Sequence, residues 1–362
     1  MSKIMSGELI GKRESVVDEL LLLNEHQTPL ISLLGFSTPV SQTEHQWFED
    51  EMFGYVSKLD VAITSDSTTE FTVEDGSIFR KDHVVKVDDE LMKVTDVATN
   101  TLTVERGYAD TDKENHADEA VIEILFVEGE EGADARDARH KARSKISNYT
   151  QIFDETIKIS GTASVVSNYG IDDLYEHEKA KKLLELALQL EKALINGVKY
   201  ENSNVRLMKG IREFVSANVT DASNDELDDG KINDAMQDIY EQGGFEQGGN
   251  WKIMTPAKQK RVISKFDQSN IRLTREENTR GQVVDFYVSD FGQAEIVLNN
   301  NLKPDEIFIV DANRLAIRPL NTREFTHEYL GKKGDYYEGM IVGEYTLEMV
   351  QEKASARIRN LQ

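Results

Sequence analysis

The tripeptide Asp290-Phe291-Gly292 spells the magnesium-binding signature of protein kinases. A kinase also needs a glycine-rich loop over the nucleotide phosphates, a lysine on the next strand and a His-Arg-Asp catalytic loop. Upstream of Asp290 the chain has no G-x-G-x-x-G and no His-Arg-Asp, and no Ala-Pro-Glu follows it. We therefore interpret the tripeptide as a structural turn between a strand ending at Val288 and one starting near Ala294. In this turn Asp290 should act as a cap, Phe291 should be buried and Gly292 should have a positive φ.

Other stretches have the composition of ligand-binding loops without their spacing. The run NDELDDGKINDAM resembles a calcium loop, but, counted from Asp225, its third position is Leu227 and its twelfth is Met236. A calcium loop needs oxygen ligands at both positions, so helix capping is the better interpretation. The run GGFEQGG lacks the Gly-Lys-Ser/Thr of a phosphate loop. His83 and His116 are interpreted as surface or satisfied core residues and not as metal ligands. We expect no catalytic residue, no cofactor and no metal ion.

Composition limits the classes of function. The chain has 362 residues, no cysteine and a formal net charge of −24. This acidic excess argues against gripping nucleic acid, because phosphate neutralisation requires Lys and Arg to replace condensed counterions. The lack of cysteine excludes disulfides, thiol nucleophiles and zinc–thiolate sites. The longest apolar cluster near the start, Leu20 to Leu23, is far shorter than a signal or membrane span, so we expect a soluble chain without a secretion signal.

Residues 171–196 form the clearest helix that the sequence predicts. Asp172 or Asp173 should be its N-cap, and Gly197 follows its last turn. A mostly apolar stripe that includes Glu191 runs along one face at helical spacing, so this face should be buried.

Strand patterns surround this helix on both sides. Short alternating runs between Phe71 and Ile124 predict strands with one buried face, and hence a small β-barrel or sandwich. The chain from Val283 onward also reads mostly as strands separated by turns.

Residues 128–145 form a charged block, EGEEGADARDARHKARSK, in which acids lead and bases follow. Such blocks are usually solvated or disordered, and the alternative is a loop ordered by a neighbouring subunit. On the second interpretation we single out these residues as candidate contacts between subunits: Glu130, Glu131, Asp134, Arg136, Asp137, Arg139, Lys141 and Arg143.

Several stretches, in order along the chain, carry a resemblance to a known family. They are NEHQTPLISLLG from Asn24, SNYTQIFDETIKISGT from Ser147, LEKALINGV at the end of the long helix, VDFYVSDFGQAEIVLNN from Val284, IFIVDANRLAIRPL, and GDYYEGMIVGEYTLEMVQEKA near the end. Together they resemble the major capsid proteins of tailed phages with the Hong Kong 97 fold. More narrowly, they resemble the subfamily named after the SU10 major capsid protein.

The resemblance implies an α+β fold with a Hong Kong 97-like division and an inserted small all-β domain. The implied parts are an N-terminal arm (1–46), an extension loop (47–58 and 128–150), an inserted β domain (59–127), a peripheral domain (151–205 and 283–362) with its spine helix (172–196), and an axial domain (206–282). In the Hong Kong phage an extension-loop lysine is crosslinked to an asparagine. Lys141 and Lys145 lie in that region, but no motif identifies a partner, so the crosslink is not expected here.

The implied function is that of a major capsid protein. Copies would assemble into pentamers and hexamers of an icosahedral shell that encloses the phage DNA without sequence-specific binding. The chain would belong to the virion, after assembly in the host cytoplasm, with portal, scaffold and decoration proteins as further partners and no membrane. We expect no enzymatic activity. The alternative is a phage tail or surface protein whose β domain recognises a receptor or carbohydrate.

Overall fold

A computed structural model describes residues 28–132, 134–136, 138–166, 173–245, 248–266 and 286–362. The helices are α1 (Pro29–Leu34), α2 (Gly161–Val165), α3 (Leu174–Asn196), α4 (Ile211–Phe214), α5 (Asp229–Glu241) and α6 (Ala257–Ile263). The strands are β1 (Glu44–Glu49), β2 (Val56–Lys58), β3 (Glu70–Thr72), β4 (His83–Val87), β5 (Glu90–Ala98), β6 (Thr101–Arg106), β7 (Val121–Val127), β8 (Ser144–Tyr149), β9 (Gln151–Ser160), β10 (Tyr200–Asn202), β11 (Val205–Leu207), β12 (Val219–Asp221), β13 (Trp251–Thr255), β14 (Phe286–Val288), β15 (Gln293–Leu298), β16 (Ile307–Asp311), β17 (Leu315–Pro319), β18 (Thr326–Gly334), β19 (Tyr336–Met349) and β20 (Ala356–Arg359).

The chain divides into two compact units. Unit 1 comprises the described residues up to Trp47 together with Lys145–Gln362, and unit 2 comprises Phe48–Ser144. The chain leaves unit 1 within β1 and returns to it within β8, and these two strands pair with each other.

Unit 2 is a closed antiparallel β-barrel. Its six strands follow the order β2-β7-β4-β5-β6-β3. The first and last strands meet at a bridge between Leu59 and Val73, where Glu74 donates its amide to the Lys58 carbonyl at 2.9 Å. Alternate side chains point inward and are fully buried, as their period of two predicts; they include Val85, Val87, Met92, Val94, Leu102 and Ile122. Of the two predicted architectures, the structure therefore has the barrel.

One sheet of unit 1 is built around the long strand β19. β18 pairs with its first half, β9 pairs with residues 336–345 and β17 pairs with residues 345–349, all antiparallel. Helix α3 packs against β9 and buries Leu186, Leu190 and Leu194. Asp173 is the N-cap of this helix and accepts hydrogen bonds from the amides of Tyr175 and Glu176 at 2.8 and 3.3 Å. Of the two predicted caps, the structure therefore uses the second.

The second sheet of unit 1 has the order β12-β20-β16-β13-β15-β14. Two of its strand pairs, β12–β20 and β13–β15, are parallel and the others are antiparallel. Helices α5 and α6 contribute to its core. The described residues of the segment 206–282 contribute β12 and β13 to this sheet, and the other strands come from residues 286–311 and 356–359. The strand-rich end of the chain is thus shared between both sheets.

Within the described ranges no helix is both long and apolar enough to cross a membrane.

Candidate functional site

The Asp290-Phe291-Gly292 tripeptide lies in a turn between β14 and β15. The hydroxyl of Ser289, and not the carboxylate of Asp290, caps this turn, accepting hydrogen bonds from the amides of Phe291 and Gly292 at 3.2 Å each. Asp290 is exposed. The expected role of Asp290 as the cap was therefore wrong, because the hydroxyl one residue earlier already occupies both amides.

Gly292 has no positive φ, so the expected left-handed conformation was also wrong. The glycine is needed for space, since a Cβ at this position would lie 2.5 Å from Cδ1 of Phe245. Phe291 is half-buried rather than buried, and its ring lies 5.5 Å from that of Tyr240 at the edge of the second core of unit 1. The tripeptide therefore contributes to packing against Phe245 and Tyr240.

The acidic run before α5 caps this helix, as predicted. Asp228 accepts hydrogen bonds from the amide and the ammonium group of Lys231 at 2.7 and 2.9 Å. Asp229 binds the buried hydroxyl of Tyr287. Among the residues that the structure describes, no group of three or more His, Asp or Glu is placed to hold a metal ion.

The charged block of residues 128–145 begins with the half-buried Glu128, which pairs with Lys93, and places its next acids in solvent. Glu130, Glu131 and Asp134 are exposed, and in the described part of the chain none of them forms an ion pair. Asp137 lies outside the described residues.

Two later bases of the block, Lys141 and Arg143, are already neutralised within unit 2. Lys141 Nζ lies 3.1 Å from Glu51, and Arg143 Nε lies 3.1 Å from Asp50. These pairs join the two chain segments that enter and leave the barrel. They are exposed, so each contributes little stability.

Arg136 and Arg139 make no carboxylate contact within the described ranges. Arg136 donates to the main-chain carbonyl of Glu128. Arg139 donates to the carbonyl of Ile78 at 2.7 Å, and its guanidinium lies 4.2 Å from the centre of the Phe53 ring. The two arginines are thus held by neutral groups of the barrel and keep their charge uncompensated.

The sequence analysis did not single out Arg80, which lies near these two arginines. It interpreted His83 as a surface or satisfied core residue, but His83 is buried with one ring nitrogen unpaired. Burial, and then the charges of Arg139, Arg80 and Arg136, lower the pKa of His83 to about 4. The imidazole is 2% exposed, and its Nδ1 and the Nε of Arg80 are buried without a hydrogen-bond partner. The basic run RKDH inside an otherwise acidic domain was the available signal.

His116 belongs to a saturated buried network. Its ring nitrogens lie 2.8 Å from Asp88 and 3.0 Å from Glu90, and Arg106 binds both oxygens of Glu90 at 2.6 Å. Burial alone would raise the pKa of Glu90, but the hydrogen bonds from Arg106, the Glu114 amide, His116 and the Gly107 amide hold it at about 2. Both carboxylate oxygens have partners, so this network fixes the loop after β6.

Glu191 lies on the apolar stripe of α3 and is fully buried. Its carboxylate accepts hydrogen bonds from the Leu30 and Ile31 amides at 2.9 and 3.0 Å, and from Asn299 Nδ2 at 2.8 Å. Burial raises the pKa of Glu191 even though these three bonds oppose the shift. Helix α1 has no side-chain cap of its own, so Glu191 serves as its cap from a distant part of the chain.

Comparison with known proteins identifies the family and the fold. A family model described as SU10 major capsid protein matches residues 3–362. The cyanophage A-1(L) capsid asymmetric unit is similar in structure, with a TM-score of 0.57 and 10% identity over 98% of each chain. The capsid of an empty GTA particle has a TM-score of 0.55 and 9% identity, over 99% of this chain and 98% of that chain. A Gordonia phage Cozz chain has a TM-score of 0.53 and 11% identity, over 99% of this chain and 93% of that chain.

At such identities the likeness concerns the fold alone, and it confirms the expected α+β capsid fold of the Hong Kong 97 type. The search of curated proteins gives no match. Because the family model covers nearly the whole sequence, the chain belongs to the SU10 major capsid protein family.

Proposed function

We propose that this chain works as the shell subunit of a tailed phage, forming pentamers and hexamers that close into an icosahedral capsid around the DNA genome. The observation that carries this proposal is the family match over residues 3–362. The subunit acts as a structural component of the virion and not as an enzyme. It assembles in the host cytoplasm, with portal, scaffold and decoration proteins as further partners.

The charge of the chain supports an enclosing role. A net charge of −24 disfavours adhesion to DNA, so the shell can hold a dense genome without binding its phosphates.

The proposed division assigns an N-terminal arm, an extension loop and three domains. Residues 1–46 are the arm, 47–58 with 128–150 are the loop, and 59–127 are the inserted barrel. The peripheral domain comprises residues 151–205 and 283–362 and contains the spine helix 172–196. The axial domain comprises residues 206–282. The sheet that contains β12 and β13 supports extending the axial domain with β14, β15, β16 and β20, because these strands complete its hydrogen bonding.

The charged block supplies contacts between copies in this proposal. Lys141 and Arg143 are occupied within their own chain, so Arg136 and Arg139 are the candidate contact bases that remain available to a neighbour. Glu130, Glu131 and Asp134 are the exposed acids available to it. Weak contacts of this kind gain strength when they repeat around a closed shell.

Electron microscopy of the purified, expressed chain tests the proposal. We expect capsomers or closed shells, formed from the chain alone or together with a scaffold. A chain that remains monomeric under all assembly conditions and binds glycans through its barrel would contradict it, and would favour the tail or surface protein.

A further inference from the structure

Unit 2 contains an arginine cluster, defined here as Arg80, Arg136 and Arg139 around the buried His83. Acids well outnumber bases in this unit, so an average base should find a carboxylate nearby. Other bases of the unit do so: Lys93 pairs with Glu128 at 2.5 Å. Within the described residues, however, none of the three arginines of the cluster has a carboxylate partner.

Main-chain contacts bring the members of the cluster together. His83 pairs with Val127 across the barrel sheet, and its amide donates to the Arg80 carbonyl at 3.2 Å. Arg136 donates to the carbonyl of Glu128, the residue after Val127. Arg139 reaches the carbonyl of Ile78, two positions before Arg80. These contacts thus bring all three arginines to the end of β4 that begins with His83.

The cluster is electrostatically incomplete as it stands. Like charges at short range repel, and a guanidinium that lacks an anion loses its strongest type of hydrogen bond. Arg80 Nε and His83 Nδ1 are buried without partners, and His83 is 2% exposed. The pKa of His83, lowered to about 4 by burial and by the three arginines, reflects the same positive field. An anion would relieve the repulsion and supply the missing acceptors.

We infer that the arginine cluster is a receptor for carboxylates, and that its ligand is the acidic stretch Glu130–Asp134 of a second copy of this chain. Its acids Glu130, Glu131 and Asp134 are exposed and form no ion pair within the described part of their own chain, although Arg136 follows them closely in sequence. Each copy therefore carries both a receptor and a ligand. Such a pairing repeats from subunit to subunit around a ring or shell. The inference rests on the proposed function and names the partner of the charged block.

Charge reversal with compensation tests the pairing. Arg139→Glu and Glu131→Arg should each lower the yield of shells about tenfold or more at low salt. The double variant should recover to within about threefold of wild type, because a charge-assisted pair is restored in the opposite sense. Lys113→Glu, which reverses an exposed base of the same unit outside the cluster, is the matched control and should leave the yield unchanged. Thermal unfolding of each variant shows whether the barrel is intact, and Arg139→Gln provides a milder change.

A double variant no better than the single variants, in a chain whose wild type forms shells, would overturn the inference and leave the proposed function standing. If the wild type forms no shells, titration of unassembled subunits still tests the receptor. Addition of the peptide EGEEGAD should raise the pKa of His83, followed by NMR, by about one unit or more. The peptide QGQQGAN should leave it unchanged. An equal rise in the pKa of His83 with inorganic phosphate would contradict a carboxylate receptor. So would an acidic peptide that leaves the pKa of His83 unchanged.

Discussion

At the residue scale, the buried acids of this chain find their polar partners by different means. Glu90 is neutralised by Arg106, and Glu306 lies between Arg212 and Arg357. Glu191 has no cation partner within the described residues and depends on three neutral donors. The first two acids form buried ion pairs, whereas the third is a buried carboxyl group whose main task is to accept hydrogen bonds from α1.

Replacing Glu191 by Ala should destabilise unit 1 by about 2–4 kcal/mol, because the variant leaves the buried amide of Leu30 and two further donors without an acceptor. Chemical denaturation measures the loss. Hydrogen exchange at the Leu30 and Ile31 amides should accelerate more than exchange elsewhere in the unit.

Glu185→Ala on the same helix is the control. It removes a partly exposed pair with Lys182 and should cost less than about 1 kcal/mol. Equal losses in the two variants would contradict the capping role of Glu191.

His83 should make the stability of unit 2 depend on pH. Its pKa is lowered from 6.5 to about 4 in the folded state, so the unfolded chain binds a proton that the folded unit excludes. The free energy of unfolding should therefore fall as the pH decreases through this window. His83→Leu should flatten this part of the profile, measured by denaturant unfolding at a series of pH values.

The control for this pH effect is His140→Leu, which removes an exposed histidine of the same unit and should keep the wild-type profile. A His83→Leu profile parallel to that of the wild type would refute the linkage.

At the element scale, the end of α3 shows how backbone contacts select glycine. Gly210 donates its amide to the Gly197 carbonyl at 2.9 Å. A Cβ on Gly197 would lie 2.3 Å from the Met208 carbonyl oxygen and 2.6 Å from that of Ala193. The φ of Gly197 is −57°, so the residue is required for close approach and not for a left-handed turn.

Gly197→Ala should cost about 1–3 kcal/mol, because main-chain atoms at both contacts cannot rotate away as a side chain could. Thermal unfolding of unit 1 measures this loss. Gly129→Ala, where nothing lies within 4 Å of the added Cβ, is the control and should change stability little. A Gly197→Ala variant as stable as wild type would show that the chain after α3 shifts at no cost.

Helices and strands with a clear periodicity or capping residue were predictable from the sequence. The contacts that these elements make with distant segments were not. The periodicity of α3 and its N-cap at Asp173 lie within one stretch, and so does the strand alternation of the barrel. The role of Gly292 depends on the Phe245 ring, which a distant segment brings to it. Glu191 fits a helical stripe by spacing, yet its function as a cap appears only when α1 reaches it. Long-range contacts of this kind leave no local pattern.

At the scale of the whole molecule, each unit has an apolar core of its own. The barrel core contains only residues between Leu59 and Ile124. The cores of unit 1 are formed by residues outside that range, around the β19 sheet and the β13 sheet. A domain inserted in this way can be stable or unstable without changing the core of its host.

Met92→Ala should therefore loosen the barrel selectively. Met92 is fully buried, and its truncation should cost about 2–4 kcal/mol, enough to speed exchange of the most protected barrel amides at least about 30-fold. Amides of α3 and β19 should exchange as in wild type, because their side chains pack in a different core. Ile253→Ala in β13, equally buried, is the matched variant and should speed exchange in the sheet that contains β13 while barrel amides exchange as in wild type. If either variant accelerates hydrogen exchange equally in both units, the barrel and unit 1 unfold together. The barrel would then not be an independent insertion.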